Sequence, residues 1–379
     1  PQAAATPEYA SGRVIVRFKS GTVIAQNVDQ LGMTFDKPFG VQGGAVYNIA
    51  DGSSVEEKVA ELNALNAVEF AEPDYRVRLS RTPNDAQYAQ QWHHPVIGSP
   101  NAWDSVTGSA SIGVCIVDSG VRKNHPDLAG SIAGGWNLVP AIQKDGQPPP
   151  TPSDPAYTAY DDKVGHGTHV AGIVAAIGNN SRGVAGVAWK AKIYVCKFIW
   201  DDESGYISDA MTCLGLCRDA GAMIASNSWG GIPYSDFLKN EIQAAGSAGQ
   251  LFINSAGNTA QNLDSTPSYP AAYNLPTQIT VAATTLDDSI SNYSCYGKKT
   301  AHISSPGDAI LSTTVDGNYG LMWGTSMAAP VVAGAAVLVQ AAAQSRGKTL
   351  TPVEIKSFLM SNVDRVSDST SKTIAGGRI

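Results

Sequence analysis

Three side chains that could together cleave an acyl bond lie far apart in this 379-residue sequence. Asp118 ends the apolar run 112–117, His166 opens a His-Gly-Thr-His motif, and Ser326 stands in Gly-Thr-Ser-Met-Ala-Ala-Pro. A serine hydroxyl becomes nucleophilic when a base removes its proton, and a carboxylate can orient that base and stabilise its charged form. We therefore expect an acid, a base and a nucleophile to meet at the ends of strands, which predicts acyl transfer through Ser326.

The residues around Ser326 predict a buried helix at 325–343, because an apolar, alanine-rich segment follows the serine. Unpaired amides and the helix dipole near its N-terminus favour developing negative charge. Pro330 is tolerated if it falls within the first helical turn. The simpler alternative is that Ser326 only caps the helix, and the presence of Asp118 and His166 upstream argues against it.

The two histidines of the His-Gly-Thr-His motif allow a second interpretation. His166 and His169 lie three residues apart on a predicted helix and could bind zinc. No glutamate stands between them, as the zinc-protease pattern requires. We therefore interpret His166 as the base and His169 as a buried structural residue. A catalytically inactive protease-like binding protein is a further alternative, although all the functional side chains are present.

The order acid, base, serine separates known classes of serine hydrolase. An α/β-hydrolase places the serine first, in Gly-x-Ser-x-Gly, whereas the last position here is Ala328. The order found here is that of subtilisin. With the Ser-Ala-Gly-Asn motif that ends at Asn258, these motifs resemble the subtilisin-like serine proteases, of the thermitase-like type, over residues 81–379.

The resemblance implies a serine endopeptidase that acts on polypeptides through an acyl-enzyme. It implies that the Asn258 side chain and the Ser326 backbone N–H bind the oxyanion, although Asn258 alone would read as a turn residue. The family's substrate-binding segment, which pairs with an extended peptide, corresponds to Ser228, Trp229, Gly230 and Gly231. Trp229 stands where the family usually has leucine, so the shape of the pocket differs there.

The resemblance also implies a structural calcium site, because oxygen ligands suit Ca²⁺. The implied ligands are the side chains of Asp85, Asp127 and Asn180 and the backbone carbonyls of Ile177, Arg182 and Val184. Solvated turn carboxylates are the alternative. A second calcium loop of the family falls at 137–160, but this chain has an insertion and fewer acids there. The resemblance is therefore not extended to a second site, and the number of calcium sites stays open. We expect no organic cofactor.

Residues 1–80 read as a small α+β domain, ferredoxin-like, ahead of a peptidase domain at 81–379. Polar and apolar residues alternate at 13–19, a second strand is expected at 45–49 and a third at 68–70. Ser54 and Glu57 predict a capping box for a helix at 55–65. The resemblance implies that this domain is an inhibitory propeptide that assists folding. Self-cleavage is then expected near Ser80 and Arg81.

The peptidase domain is predicted to be α/β, with a mostly parallel central sheet covered by helices on both faces. Short continuous apolar runs indicate its buried strands. We expect strands at 112–117, 193–198, 223–225, 251–253 and 279–281, and helices at 167–177, 206–220, 235–248, 325–343 and 352–361.

Composition limits the partners. The net charge of −7 without a long basic run argues against nucleic acid and anionic membranes, and no apolar run reaches the length of a membrane span. The start of the sequence resembles a chain whose targeting segment has been removed or omitted. We expect the protein to be secreted or to act in a secretory compartment, and we expect a monomer. Asn179 and Asn292 stand in glycosylation sequons, which occur often by chance.

The five cysteines leave at least one unpaired within the chain. Cys213 and Cys217 share a helix face and either could reach Cys196, so sequence does not fix the pairing. We favour a disulfide between Cys196 and Cys213, and we expect Cys115 to be a buried thiol in a core strand.

Overall fold

A computed structural model describes residues 9–20, 28–39, 44–75 and 82–379. Contacts divide the chain into two units, Pro1–Leu79 and Ser80–Ile379, and each has its own hydrophobic core. The predicted cleavage position at Ser80 and Arg81 lies outside the described residues.

The N-terminal unit is an antiparallel sheet of order β2-β3-β1-β4 with a helix before its last strand. Its elements are β1 Tyr9–Phe18, β2 Met33–Pro38, β3 Gly44–Ile49, α1 Val55–Asn63 and β4 Val68–Tyr75. This order of strands is that of a ferredoxin-like fold, as predicted. The capping box is present, because Ser54 and Glu57 bond each other's backbone N–H groups. The sequence did not reveal β2, whose residues are mostly exposed.

The C-terminal unit is built on seven parallel strands in the order β11-β10-β9-β8-β5-β7-β6. They are β5 Gly113–Asp118, β6 Ile132–Asn137, β7 Lys192–Lys197, β8 Ala222–Asn227, β9 Leu251–Ser255, β10 Gln278–Thr284 and β11 Ile303–Pro306. A hairpin of β12 Ile310–Thr313 and β13 Tyr319–Met322 stands beside it. The five predicted strands are confirmed. The sequence did not reveal the hairpin or two strands of the sheet, β6 and β11, which contain glycine or serine and lack an apolar run.

Helices cover both faces of this sheet, as predicted. They are α2 His93–Val96, α3 Ser99–Ser105, α4 His166–Ala175, α5 Ile207–Asp219, α6 Asp236–Ser247, α7 Thr325–Gln344, α8 Pro352–Ser361 and α9 Ser367–Lys372. The core on one face is formed with α4 and α7, and that on the other with α5 and α6. The chain moves to one side of β5 for β6 and β7 and to the other for β8, so the carboxyl ends of β5 and β8 border a switch point where ligands gather.

Two disulfides attach α5 to the sheet. Cys196 of β7 bonds Cys213, as favoured from the sequence, and Cys115 of β5 bonds Cys217. The prediction of a free Cys115 thiol was therefore wrong. It failed because two helix cysteines on one face reach two neighbouring strands at once, which a linear pattern does not show. The free cysteine is Cys295, which is buried.

The helix α7 is the one described helix whose length and composition would allow it to cross a membrane. This differs from the expectation that no apolar run in the sequence reaches the length of a membrane span. Inside this unit 72% of its apolar window is buried, as in the core helix of a soluble protein.

Candidate active site

Asp118 and His166 meet at the carboxyl end of β5. The Nδ1 atom of His166 lies 2.8 Å from Oδ1 of Asp118, which is only 2% exposed, while the imidazole is about one third exposed at 32%. Burial lowers the pKa of His166, but the charge and hydrogen bond of Asp118 outweigh it, and the pKa is raised above its usual value. The imidazole is thus oriented by a carboxylate, as the predicted base requires.

Sequence reasoning missed the residues that hold His166 in place. Asp162 is buried and accepts hydrogen bonds from the backbone of Val164 and Gly165 and from both donors of Thr168. It also accepts the Ser119 hydroxyl, at 3.0 Å. An acid five residues before the helix predicted at 167–177 could have indicated these hydrogen bonds to the first turn.

Gly167 explains why a small residue must follow His166. A Cβ atom on Gly167 would lie 2.2 Å from the carbonyl oxygen of Gly120, so the backbone there approaches too closely for a side chain. This close packing brings the first turn of α4 against the loop after β5.

His169 is a structural residue, as predicted. Its ring is buried, Nε2 lies 3.0 Å from the carbonyl oxygen of Gly320, and burial lowers its pKa to about 4. The described residues contain no group of three or more histidines, cysteines and acids that could hold a metal. The zinc interpretation therefore has no ligand set in the described part of the chain.

Ser326 lies in the first turn of α7, near the helix end as predicted. Pro330, however, is the sixth residue of the helix and not part of its first turn. Because proline has no N–H, it cannot bond the carbonyl of Ser326 four residues earlier. The Ser228 hydroxyl donates to that carbonyl instead, at 2.8 Å, and so ties the serine to the segment after β8.

The nucleophile and the base are not hydrogen-bonded to each other in this structure. The Ser326 hydroxyl donates to the backbone carbonyl of Ser228 at 3.2 Å, and no hydrogen bond to His166 occurs among the described residues. Catalytic hydrogen bonds are often long in ligand-free enzymes and form when substrate binds.

Asn258 lies beside the N-terminus of α7 with a fixed orientation. Its Oδ1 accepts hydrogen bonds from both the backbone N–H and the hydroxyl of Thr325, at 2.9 Å each, which leaves the Nδ2 donors facing outward. Gly324 has a φ of 143°, and a Cβ built on it would lie 3.2 Å from Asn258 Nδ2 and 3.5 Å from the Ser326 nitrogen. Two N–H donors thus flank one space, as an oxyanion requires.

Two cavities meet at the segment Ser228, Trp229 and Gly230. The larger, of about 510 Å³, is lined by His166 and by the β7–α5 connection. The smaller, of about 220 Å³, contains Ser326 and Asn258, and Gly231 also lines it. Trp229 packs edge-on against Phe198 and Phe252 and lines both cavities. All the predicted substrate-binding residues therefore lie beside the predicted catalytic ones.

The residues of the predicted calcium site form one network. The Asn180 side chain donates to Asp127 at 2.7 Å. The backbone N–H of Asn179 donates to Asp85, and that of Val184 donates to Asp127. The buried Oδ1 of Asp85 has no hydrogen-bond partner in the described part of the chain. Burial raises the pKa of Asp85, and the neighbouring Asp127 carboxylate adds to this effect.

An orphaned carboxylate oxygen beside a second carboxylate fits a bound cation. The backbone N–H of Ile177 bonds the carbonyl of Asp127, and that of Arg182 bonds the amide oxygen of Asn180. These bonds hold the 177–184 loop beside Asp85 and Asp127. The oxygen-bearing residues that meet there are of the types that bind Ca²⁺. The Asn180 oxygen faces Arg182, and binding would require this amide to turn.

The arrangement belongs to hydrolases that work through an activated serine on a parallel α/β sheet. Comparison with known proteins is more specific. The chain belongs to the subtilase family, because residues 109–376 match Peptidase S8. Residues 1–74 match the fervidolysin N-terminal prodomain. The resemblance read from the motifs is thus confirmed: the chain is a subtilisin-like serine protease with an N-terminal prodomain.

Individual relatives cover one or both units. Thermitase of Thermoactinomyces vulgaris is 36% identical over 79% of this chain and 97% of its own length. The thermophilic serine proteinase of Bacillus sp. strain AK1 is 32% identical over 98% of this chain and 86% of its own length. Among solved structures, a protease from Pseudoalteromonas arctica PAMC 21717 is 28% identical with a TM-score of 0.67, over 79% of this chain and 97% of that one.

Proposed function

We propose that the chain is the precursor of a secreted serine endopeptidase with Asp118, His166 and Ser326 as its catalytic triad. His166 removes the proton of the Ser326 hydroxyl as its oxygen attacks the peptide carbonyl, and Asp118 stabilises the imidazolium. The imidazolium then protonates the leaving amine, and water hydrolyses the acyl-enzyme with His166 again as base. The observation that carries this proposal is the buried Asp118 bonded at 2.8 Å to His166.

Asn258 and the Ser326 backbone N–H stabilise the tetrahedral oxyanion, since both donors face the space above Gly324. The peptide pairs with Ser228–Gly231, and the side chain before the scissile bond enters the smaller cavity. Substrate binding displaces the Ser326 hydroxyl from the Ser228 carbonyl toward His166. The two hydrogen bonds that fix the Asn258 amide support this assignment.

The N-terminal unit acts as an inhibitor and folding aid, residues 1–80, and the peptidase at 81–379 cuts itself free near Ser80 and Arg81. The prodomain match supports this division. Two disulfides fit folding in an oxidising, extracytoplasmic compartment. A Ca²⁺ ion bound by Asp85, Asp127 and Asn180, with carbonyls of the 177–184 loop, would stabilise the loop that follows α4.

The decisive experiment compares the parent with Ser326→Ala and with Ser345→Ala, which changes an exposed serine at the other end of the same helix. We expect casein digestion and inactivation by phenylmethylsulfonyl fluoride for the parent and Ser345→Ala, and no digestion by Ser326→Ala. Loss of activity only with a zinc chelator would favour the zinc interpretation. A correctly folded parent that cuts nothing would favour a non-catalytic binding protein.

Processing is tested by sequencing the N-terminus of active material. We expect a start within several residues of position 81, and an unprocessed Ser326→Ala precursor. A start before residue 70 would contradict the proposed boundary.

A further inference from the structure

The turn between β7 and α5 carries a carboxylate, that of Glu203, which has no hydrogen-bond or ion-pair partner among the described residues. Glu203 has a φ of 66°, and its backbone N–H bonds the Trp200 carbonyl at 3.0 Å. Its side chain is exposed and lines the larger cavity together with His166, Ile199 and Trp229. A negative charge therefore faces the space beside the catalytic imidazole.

The neighbouring acids of this turn are already occupied. Asp201 lies 3.7 Å from Lys163 and 3.9 Å from Lys197. Asp202 accepts hydrogen bonds from the backbone and hydroxyl of Ser204. Neither acid lines the cavity.

Glu203 differs from both, because its carboxylate makes no hydrogen bond or ion pair with another described residue. The negative charge of Glu203 helps to raise the pKa of the His166 imidazole. A charged side chain at this point of the cleft is thus free to interact with a ligand.

We propose that Glu203 is a specificity-determining residue, and that the cleft prefers substrates with arginine or lysine shortly before the residue whose carbonyl is attacked. This inference rests on the proposed serine protease function. A peptide extended along Ser228–Gly230 places its side chains alternately on either side. Those directed away from the smaller cavity enter the larger one, where a cation meets Glu203 beside apolar side chains such as Ile199 and Ile207.

The composition of the chain's own linker agrees with this preference. Arginine occupies positions 76, 78 and 81, in Arg-Val-Arg-Leu-Ser-Arg, between the prodomain match and the peptidase. This segment is the first substrate in the proposed self-cleavage. A cut between Leu79 and Ser80, one residue before the expected position, would place Arg78 second and Arg76 fourth before the cleaved bond, on the side of the larger cavity. A basic segment and an unpaired acid in the cleft are complementary in charge.

The test uses peptides that are identical except at one position, scanned over the second, third and fourth residues before the cleaved bond. Arginine at that position is compared with citrulline, which has nearly the same shape without the charge. For the parent we expect the kcat/KM ratio of arginine to citrulline to be about 1.4- to fivefold at one position, the range of an exposed ion pair. The ratio should decline with added salt.

Glu203→Gln should bring this ratio to about one, and Glu203→Lys should invert it. Asp202→Asn is the matched control, since it removes a charge from the same turn without touching the cavity, and should keep the parent's ratio. A ratio near one for the parent at all three positions, or an unchanged ratio in Glu203→Gln, would overturn the proposal.

A pH profile on the citrulline peptide separates two roles of Glu203. Loss of its charge should move the acid limb of kcat/KM to lower pH, because the imidazole pKa falls. If the limb moves while the selectivity does not, Glu203 faces His166 but not the substrate, and the proposal is wrong. If no peptide is cut in a Ser326-dependent manner, the proposed protease function itself fails.

Discussion

The disulfide between Cys115 and Cys217 leads to a stability prediction whose magnitude follows from the length of its loop. The bridge joins residues 102 positions apart, whereas Cys196 and Cys213 are separated by 17. In the chain-entropy account, loops of these lengths stabilise the folded state by about 4.7 and about 3 kcal/mol. The inner bridge shortens the outer loop to roughly 85 residues, which lowers the larger value by only about 0.2 kcal/mol because the dependence is logarithmic.

We expect Cys115→Ala/Cys217→Ala to lower the free energy of unfolding by about 4.5 kcal/mol, and the Cys196/Cys213 pair changed in the same way to lower it by about 3 kcal/mol. Both pairs are placed in a Ser326→Ala background to prevent self-digestion. Urea unfolding is followed by tryptophan fluorescence. All seven tryptophans lie beyond residue 91, so the signal reports only the C-terminal unit.

Two measurements could refute this reasoning. Thiol titration of the denatured, non-reduced parent should find one thiol, that of Cys295. Three thiols would mean that one of the bridges is absent. In reducing buffer the difference between parent and variants should shrink to the contribution of side-chain packing. A Cys115→Ala/Cys217→Ala protein as stable as the parent without reductant would show that the loop-entropy argument fails here.

Three further predictions concern the site. Asn258→Ala should lower kcat by about 10²–10³-fold with little change in KM, which is the loss found for the equivalent donor in subtilisin. A rise in KM of the same size with kcat unchanged would contradict the oxyanion role. Since Asp118 raises the pKa of His166 and only the neutral imidazole accepts a proton, kcat/KM of the parent should fall with acidity through a pKa above the usual histidine value. Asp118→Asn should move this acid limb of the pH profile to lower pH and reduce kcat about 10⁴-fold. Ca²⁺ at about 100 times its Kd should raise the free energy of unfolding of the parent by roughly 2.7 kcal/mol, and Asp85→Asn should lose this gain. In chelator Asp85→Asn should unfold no more easily than the parent, because its charge repulsion with Asp127 is relieved. Equal stabilisation of both proteins by Ca²⁺ would show that Asp85 is not a ligand.

Local patterns were sufficient wherever a property depends on neighbouring residues. Apolar runs indicated five of the seven strands, because a strand buried on both faces contains few polar residues. The Ser54 and Glu57 capping box was readable because both partners lie within one turn. The order of Asp118, His166 and Ser326 separated this family from other serine hydrolases, since chain order survives without coordinates.

The tertiary structure decided everything that joins distant segments. The Cys115–Cys217 pairing depends on β5 and β7 being neighbours beneath α5, and the sequence contains no sign of that adjacency. Two further contacts join residues that are distant in sequence. The Ser228 hydroxyl donates to the Ser326 carbonyl, which Pro330 leaves free, and the Glu203 carboxylate lies beside His166 in the larger cavity. Composition and spacing specify which groups are present and in which elements. Only the packing of those elements determines which charges and hydrogen-bonding groups remain unpaired.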